Sequence, residues 1–410
     1  MKYNAAVVKK YSIDKIFTLL LSAIIFLVPT NLFLTFEKSN AYVNGLLVDY
    51  LIPKIYLGDI FIFSILGVWL IEIISKKKQF RISKAYFPSI LFSFLIIRQA
   101  FTFFPLAAIW YLLKLFEIGL LSWFLFTHKK LLKKSAIFIT IIVTAWFQSL
   151  LAIYQFVTQR SLLGYKFFGE PNLAQSIGLA KDMWWNTGRV LPYGTTAHPN
   201  ILGGILAICG LVILKKLPAI KNGWGKLLSF FTMAIVIIVL VLTQSISAGL
   251  TFVIGLVFIN RKNVNQRLII ISAVTMIVIA PISIHLLAKP FHQTNSFVRR
   301  SYLQTAAVKM FLDQPIFGVG LNQFTARVEE YSKAQEIVRF IQPVHHLGLL
   351  WLAETGLLGL ILLAWVLLKT SLAKKITPLI ILLPIMVLDH YLFTQQAGLL
   401  LLAFTPLLRE

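Results

Sequence analysis

The chain has 410 residues, of which 58% are hydrophobic and only 13% are charged. A soluble fold carries about 25% charged residues, so the composition excludes a soluble enzyme, a disordered chain and a disulfide scaffold. The net charge of +24 is scattered over short segments between apolar runs, which argues against nucleic-acid binding. Cys209 is the single cysteine and cannot form an internal disulfide.

The apolar runs predict an all-α polytopic membrane protein with about twelve transmembrane helices, because a helix needs about 20 apolar residues to cross a bilayer. The first run is too long for a signal peptide, so we expect it to remain as a helix. We treat residues 1–410 as a single integral membrane domain. The runs are 16–36, 57–75, 86–104, 105–126, 135–157, 198–214, 227–243, 247–260, 268–287, 347–368, 376–395 and 397–408.

Lysines and arginines cluster in alternate connections between these runs. The clusters lie at 2–15, 76–84, 129–134, 215–226, 261–267 and 369–375, with Arg409 near the end. Positively charged connections stay in the cytoplasm, so we expect both termini there. Two long connections, 158–197 and 288–346, then lie outside, and long connections commonly carry function.

The first outer connection leads into the sequence GRVLPYGTTAHPN, residues 188–200. His198 and Pro199 predict the start of a helix, whose free N–H groups attract phosphate. Arg189 is suited to a bidentate phosphate contact. The alternatives are that His198 is a plain helix cap and that Arg189, with Trp184 and Trp185, anchors the loop at lipid headgroups.

The second outer connection contains an amphipathic helix that ends before a Pro-x-x-Gly-x-Gly turn at Gly318 and Gly320. Arg299 and Arg300 lie on this helix and diverge by about 100°, so they are not expected to face one site. The following stretch, 325–339, predicts a solvated surface helix with charges at i,i+4 spacing.

His345 and His346 mark the outer end of the run 347–368. A helix N-terminus disfavours imidazolium, and a neutral imidazole can accept a proton from a sugar hydroxyl as a general base. Glu354 lies about two turns deeper and is expected to face the bundle interior. The alternative is that the two histidines are interfacial residues without a chemical role.

Several polar residues fall inside predicted spans. Lys114 and Glu117 are three residues apart and are expected to pair or to line a lipid-carrier cavity. Arg98 lies in the preceding run. Asp389 and His390 either support the site or bond neighbouring helices.

Together these motifs resemble the O-antigen ligase and polymerase superfamily. The resemblance rests on an Arg-containing loop before HPN, on Arg300 eighteen residues before Gly318, and on His345-His346 separated from Gly356 by nine residues. The chain departs from the usual pattern at His346, where Asn, Ser or Gln is commoner, at Gln304, where Trp is common, and at Ile246, where many members carry Arg.

The resemblance implies a GT-C-type glycosyltransferase fold in a bacterial plasma (inner) membrane, with the active site on the outer face. It implies transfer of a glycan from an undecaprenyl-pyrophosphate carrier to a glycan, lipid or protein acceptor, by an inverting route without metal or other cofactor. His345 would be the general base, and Arg300 and Arg189 would hold the pyrophosphate. We expect substrate binding also at four further residues, His198, His346, Glu354 and Arg299.

Three functional classes remain open at this stage. The leading hypothesis is a membrane glycan transferase, either a ligase or a polymerase that joins carrier-linked repeats. The second is a transporter of lipid-linked glycans, which commonly shows paired halves with broken helices, a pattern that the sequence does not show. The third is a structural membrane protein, which leaves the arginine and histidine placement unexplained.

Overall fold

The computed structural model describes residues 2–36, 38–75, 86–99, 101–102, 104–174, 178–182, 185, 187–260, 295–369 and 377–408. Over these residues the fold is mostly helical, with two small two-stranded sheets. Four predicted features lie wholly or largely outside the described residues: the span 268–287 and the basic clusters 76–84, 261–267 and 369–375. Trp184 and Arg409 also lie outside them.

The elements are numbered in chain order. The strands are β1 (Phe33–Thr35), β2 (Tyr42–Val43), β3 (Leu46–Leu47) and β4 (Lys54–Tyr56). The helices are α1 (Lys2–Leu27), α2 (Leu57–Ser75), α3 (Tyr86–Gln99), α4 (Pro105–Thr127), α5 (Lys129–Leu132), α6 (Ser135–Thr158), α7 (Pro199–Lys216), α8 (Gly223–Thr243), α9 (Ile246–Asn260), α10 (Asn295–Asp313), α11 (Phe324–Tyr331), α12 (Gln335–Val338), α13 (Leu347–Lys369), α14 (Thr377–Ile381), α15 (Leu383–Leu388), α16 (Tyr391–Thr394) and α17 (Gln396–Ala403).

Six helices of the described part of the chain are long and apolar enough to cross a membrane, namely α2, α4, α6, α7, α8 and α13. Apolar stretches of α3 and α9 are shorter. Many large apolar side chains on these helices point outward, including Ile71 and Ile74 of α2. The fold is therefore that of a polytopic membrane protein, as predicted, and these six helices of the described residues correspond to six of the predicted spans.

Two predicted spans are wrong in detail. The run 16–36 is not one helix, because α1 ends at Leu27 and the chain then enters β1, which pairs antiparallel with β4. The two small sheets also correct the all-α prediction. The run 376–395 is broken into α14, α15 and α16, since Pro384 interrupts the helical hydrogen bonding and the backbone is extended at Asp389.

Helix α7 forms the centre of the bundle. Almost its whole length is buried, and it packs against α6, α8 and α9. Glycines permit this close approach, because a side chain at Gly204 would overlap the hydroxyl of Tyr391. The central helix thereby brings its N-terminus against α16 and the residues that precede it.

The lysine-rich connections meet at one end of the bundle. Lys216 Nζ donates to the carbonyl of Leu132 (3.4 Å), and Lys215 Nζ donates to the carbonyl of Leu408 (2.8 Å). Helices α6 and α7 carry the chain between this end and the opposite one. The connection between α6 and α7 therefore lies at the end of the bundle opposite to Lys215 and Lys216.

A buried polar cluster joins α2, α4 and α17. Lys114 pairs with Glu117 (3.0 Å), as predicted, and also with Asp59 at the start of α2. Asp59 in turn accepts hydrogen bonds from the backbone of Tyr56 (2.8 Å) and from Gln396 Nε2 (2.5 Å). The charges of this cluster therefore compensate one another inside the bundle.

The segment 325–339 is not one solvated helix. It forms α11 and α12 with a break between them, and α11 packs on α10 and α13. Glu329 is buried and accepts a hydrogen bond from Asn44 Nδ2 (2.6 Å). The prediction of a solvated surface helix was wrong here because Asn44, the partner of Glu329, lies far away in sequence, in the turn between β2 and β3.

Candidate functional site

Two buried glutamines of α6 hold the loop before α7 through hydrogen bonds. Gln155 Oε1 accepts the N–H groups of Tyr193 (3.0 Å) and Gly194 (2.7 Å), and Gln148 Oε1 accepts that of Thr195 (3.0 Å). The two glutamines are seven residues apart and therefore lie on one face of α6. They fix the loop that delivers His198 to the end of the bundle.

His198 caps α7. Its Nδ1 accepts the backbone N–H of Asn200 (3.1 Å), while Pro199 occupies the first helical turn. Because Nδ1 is an acceptor, the neutral ring carries its proton on Nε2. His198 is thus equipped to donate a hydrogen bond rather than to accept a proton.

Arg300 and Arg299 point in different directions from α10, as their spacing predicts. Arg299 Nε donates to the carbonyl of Glu336 (3.0 Å), and its guanidinium lies over the ring of Phe340 (4.6 Å to the centroid). Arg300 is half-buried and interacts electrostatically with Asp389, and its charge acts on His198 and His345. Arg300 therefore supplies the positive charge of the cluster.

His345 lies just before α13 and is half-buried. Its ring stands edge-on to that of His390, with 4.7 Å between the centroids. Within the described residues its buried Nδ1 has no hydrogen-bond partner. Burial lowers the pKa of His345 well below 6.5, and the nearby Arg300 lowers it further, so the ring is neutral at neutral pH.

His346 has a different role from its neighbour. It is buried, and its Nδ1 accepts the backbone N–H of Leu349 (3.1 Å) in the first turn of α13. Its own carbonyl accepts the N–H of Leu350 (2.9 Å). These contacts make His346 the cap of α13.

The Pro-x-x-Gly-x-Gly turn docks into a break in α13. At Gly356 the helix leaves helical geometry, and the N–H groups of the next two residues bond to the carbonyls of Pro315 and Ile316 (2.8 and 3.1 Å). In the other direction the N–H groups of Val319 and Gly320 bond to α13 carbonyls (both 2.9 Å). Four backbone hydrogen bonds thus join the turn to the helix.

Glu354 and Arg98 complete this joint. The carboxylate of Glu354 accepts the N–H groups of Asn322 (2.9 Å) and Phe324 (3.1 Å) at the start of α11. The guanidinium of Arg98, at the end of α3, donates to the carbonyl of Gly318 (2.6 Å). Glu354 therefore stabilises the backbone at the start of α11, and Arg98 holds the turn in place.

Asp389 and His390 belong to the cluster, which is the first of the two alternatives that the sequence left open. Asp389 Oδ2 accepts a hydrogen bond from Asn200 Nδ2 (2.7 Å), next to the α7 cap. His390 Nδ1 is 2.7 Å from Thr394 Oγ1. The sequence feature that indicates this role is an acidic residue next to a histidine within an apolar run that contains Pro384.

The remaining predicted residue, Arg189, makes its contacts at the end of α6. Its guanidinium donates to the carbonyl of Phe156 (3.4 Å) and lies over that ring (5.8 Å) at the end of α6. Among the described residues none of its contacts is with His345 or Arg300. Trp185 also contacts the ring of Phe156 (6.0 Å), so these three side chains form one group.

The cluster also contains a set of possible metal ligands. One ligand atom each from His345, Asp389 and His390 lies within 4.8 Å of the others. The sequence analysis expected no metal here. The charge of Arg300 acts on this same group and opposes a cation.

The arrangement combines a proton acceptor, a fixed positive charge and a hydrogen-bond donor at one end of a membrane helix bundle. His345 is the neutral acceptor, Arg300 the charge, and the Nε2–H of His198 the donor. Such a set suits transfer of a group from a negatively charged leaving group to a hydroxyl.

Residues 202–364 match the protein-family model described as O-Antigen ligase. The match contains Arg300, His345, His346 and Glu354, and it confirms the resemblance to the O-antigen ligase superfamily. A comparison with curated proteins found no match. Together with the six apolar helices, the family match indicates an integral membrane protein with an O-antigen ligase- or polymerase-like function in surface polysaccharide assembly.

Proposed function

We propose that this relative of the O-antigen ligases transfers a glycan from an undecaprenyl-pyrophosphate carrier to an acceptor hydroxyl at the outer face of a bacterial plasma membrane. The acceptor is a glycan, a lipid or a protein in a ligase reaction. In a polymerase reaction it is a second carrier-linked repeat. Membrane lipids surround the protein.

One observation carries the proposal. Arg300, His198, His345 and Asp389 come from four separate parts of the chain and lie close enough for the charge of Arg300 to act on the other three. Packing of the bundle alone does not require a neutral histidine beside an arginine. A transferase with an anionic leaving group does require this combination.

In the proposed reaction a ring nitrogen of His345 takes the proton of the acceptor hydroxyl. The acceptor oxygen forms a bond to the anomeric carbon from the face opposite to the pyrophosphate. The bond from that carbon to the phosphate oxygen breaks, and the pyrophosphate leaves with the electron pair. The anomeric configuration is therefore inverted, and no metal or other cofactor takes part.

Arg300 serves this reaction in two ways. Its charge stabilises the pyrophosphate as negative charge develops on the leaving oxygen. In the free protein the same charge lowers the pKa of His345. A bound pyrophosphate offsets that charge, so the donor strengthens the base and couples donor binding to proton removal.

The other predicted residues take supporting roles in this proposal. His198 donates its Nε2–H to a phosphate oxygen, and Arg189 is a second phosphate contact nearer the end of α6. His346, Glu354 and Arg299 act on the protein itself, because each is engaged with backbone groups. This assignment revises their expected role in substrate binding.

We propose the following architecture for the membrane-inserted protein. Residues 1–410 form one domain of the GT-C type with about twelve membrane passes and both termini in the cytoplasm. The connections 158–197 and 288–346 lie outside and carry the site. The separation of the lysine-rich connections from the His345 cluster supports this orientation.

The test uses purified protein and a polyprenyl-pyrophosphate oligosaccharide, with His345→Ala as the control. Products longer than one repeat, formed without another acceptor and lost in the variant, identify a polymerase. Transfer only after a lipid-linked core or protein acceptor is added identifies a ligase. Absence of any transfer with every acceptor contradicts the proposal.

A further inference from the structure

A cavity that is open to solvent lies near the His345 cluster. It is bounded by the segment 49–56, the first half of α4 and the start of α17. Because α4 begins at the same end of the bundle as α7, the cavity descends from the face that carries the site.

The cavity is connected to His345 by side-chain contacts. The ring of Tyr50, in the cavity wall, stands edge-on to the ring of His390 (5.5 Å between centroids). Thr394, also in the wall, is hydrogen-bonded to His390 Nδ1 (2.7 Å). His390 in turn contacts His345. A molecule in the cavity is therefore separated from His345, the proposed base, by His390.

The cavity wall combines aromatic faces with amide groups. Tyr50, Tyr56, Trp110 and Tyr111 supply the aromatic rings. Gln396 is buried, and its Oε1 has no hydrogen-bond partner among the described residues, although its Nε2 is bonded to Asp59. A buried unpaired acceptor is costly, and a hydroxyl group from a ligand satisfies it.

The charges of the wall do not form an anion site. Lys54 pairs with Asp49 (2.6 Å), and Lys114 pairs with Asp59 and Glu117. Each lysine is thus neutralised by a carboxylate. Arg300 is the better binding group for a pyrophosphate. The cavity therefore suits an uncharged, hydroxyl-rich molecule.

From these observations we propose that the cavity beside Tyr50 and Trp110 is a saccharide subsite, and that it holds a sugar of the acceptor on the side of His390 away from His345. The apolar face of a sugar ring packs on an aromatic side chain, and its hydroxyl groups bond to amides such as Gln396. The inference rests on the proposed transferase function. It assigns the acceptor to the His390 side of the base and the pyrophosphate to the Arg300 side.

The first test is kinetic. In Trp110→Leu, loss of the ring is expected to raise the KM for the acceptor about tenfold, with kcat and the donor KM unchanged within about twofold. Trp110→Phe keeps a ring and is expected to recover most of this loss. Trp224→Leu is the matched control, because Trp224 is 78% exposed at the start of α8, far from the cavity in sequence and fold.

The second test does not need turnover. The oligosaccharide repeat released from the cell's own surface polysaccharide is titrated into the protein, and tryptophan fluorescence is followed. The saccharide-dependent change is expected in the parent protein and in Trp224→Phe, and is expected to be absent in Trp110→Phe. Binding seen without any transfer activity supports the subsite even if the proposed function fails.

Two results would overturn the proposal. Unchanged KM values for both substrates in Trp110→Leu, together with an unchanged fluorescence response in Trp110→Phe, show that the cavity binds no saccharide. A raised donor KM with an unchanged acceptor KM shows that the donor sugar occupies it and removes the acceptor assignment.

Discussion

Gly318 and Gly356 meet in one backbone contact in which neither residue has room for a side chain. A Cβ on Gly318 would overlap the carbonyl of Glu354, and a Cβ on Gly356 would lie 2.7 Å from the backbone nitrogen of Gly318. Both residues also have positive φ (65° and 64°). The turn that follows α10 and the helix that follows His345 therefore depend on this pair for their relative position.

Substitution of either glycine is expected to destabilise the protein. In Gly318→Ala and Gly356→Ala the overlap and the positive φ together cost about 2 kcal/mol or more. Thermal unfolding in detergent measures the loss, and Gly119→Ala in α4 is the control, because a Cβ there meets nothing within 4 Å. An unchanged melting temperature in both motif variants contradicts the backbone contact.

The neighbouring histidines are expected to respond differently to the same substitution. His345→Ala should lower kcat by a factor of about 10² to 10⁴, as for loss of a general base. His346→Ala should lower stability by about 1 kcal/mol through loss of the α13 cap. Turnover and melting temperature are measured on both variants. Full turnover in His345→Ala would remove the base assignment.

The adjacent arginines provide a second matched pair. Arg300→Lys is expected to lower kcat/KM about 10²-fold, because lysine does not reproduce the planar, bidentate contact with phosphate. Arg299→Lys should change kcat/KM by less than about threefold, since Arg299 bonds to a backbone carbonyl instead. Equal losses in the two variants would show that the two residues share one role.

The pH dependence follows from the pKa of His345. The base must be neutral, so activity is lost as the pH falls through its pKa in the free enzyme. Burial and the charge of Arg300 lower that pKa below 6.5. The acid limb of kcat/KM is therefore expected below pH 6.5 and should be missing in His345→Ala. An acid limb above pH 6.5 contradicts this environment.

Chelation tests the metal-free mechanism directly. Incubation with EDTA followed by its removal is expected to leave turnover unchanged, because Arg300 opposes a cation beside His345, Asp389 and His390. Turnover after chelation, and after addition of zinc, is compared with that of the untreated protein. Loss on chelation with recovery in zinc would make these three residues metal ligands.

The parts of the fold that sequence patterns predicted best are those set by local rules. The starts of α4, α7 and α13 follow from proline, capping residues and apolar runs, and the spacing of Arg299 and Arg300 correctly separates their directions.

The parts that the sequence did not determine depend on contacts between distant segments. The break at Gly356 exists because the turn at Gly318 supplies replacement hydrogen bonds, and an apolar run does not reveal that partner. Asp389 joins the site through Asn200, a contact across 189 residues. Glu329 is buried only because Asn44 meets it across the fold. The residue types indicated the chemistry of the site, whereas these long-range contacts determine where each residue lies.

The two glutamines of α6 also constrain how the protein is made. Gln148 is synthesised 47 residues before Thr195, and Gln155 is synthesised 39 residues before Gly194. Until the loop emerges from the ribosome and docks, both amides lie in an apolar helix without these partners, a costly state in hydrocarbon. Docking of the His198 loop is therefore the step at which both glutamine amides first obtain these hydrogen-bond partners.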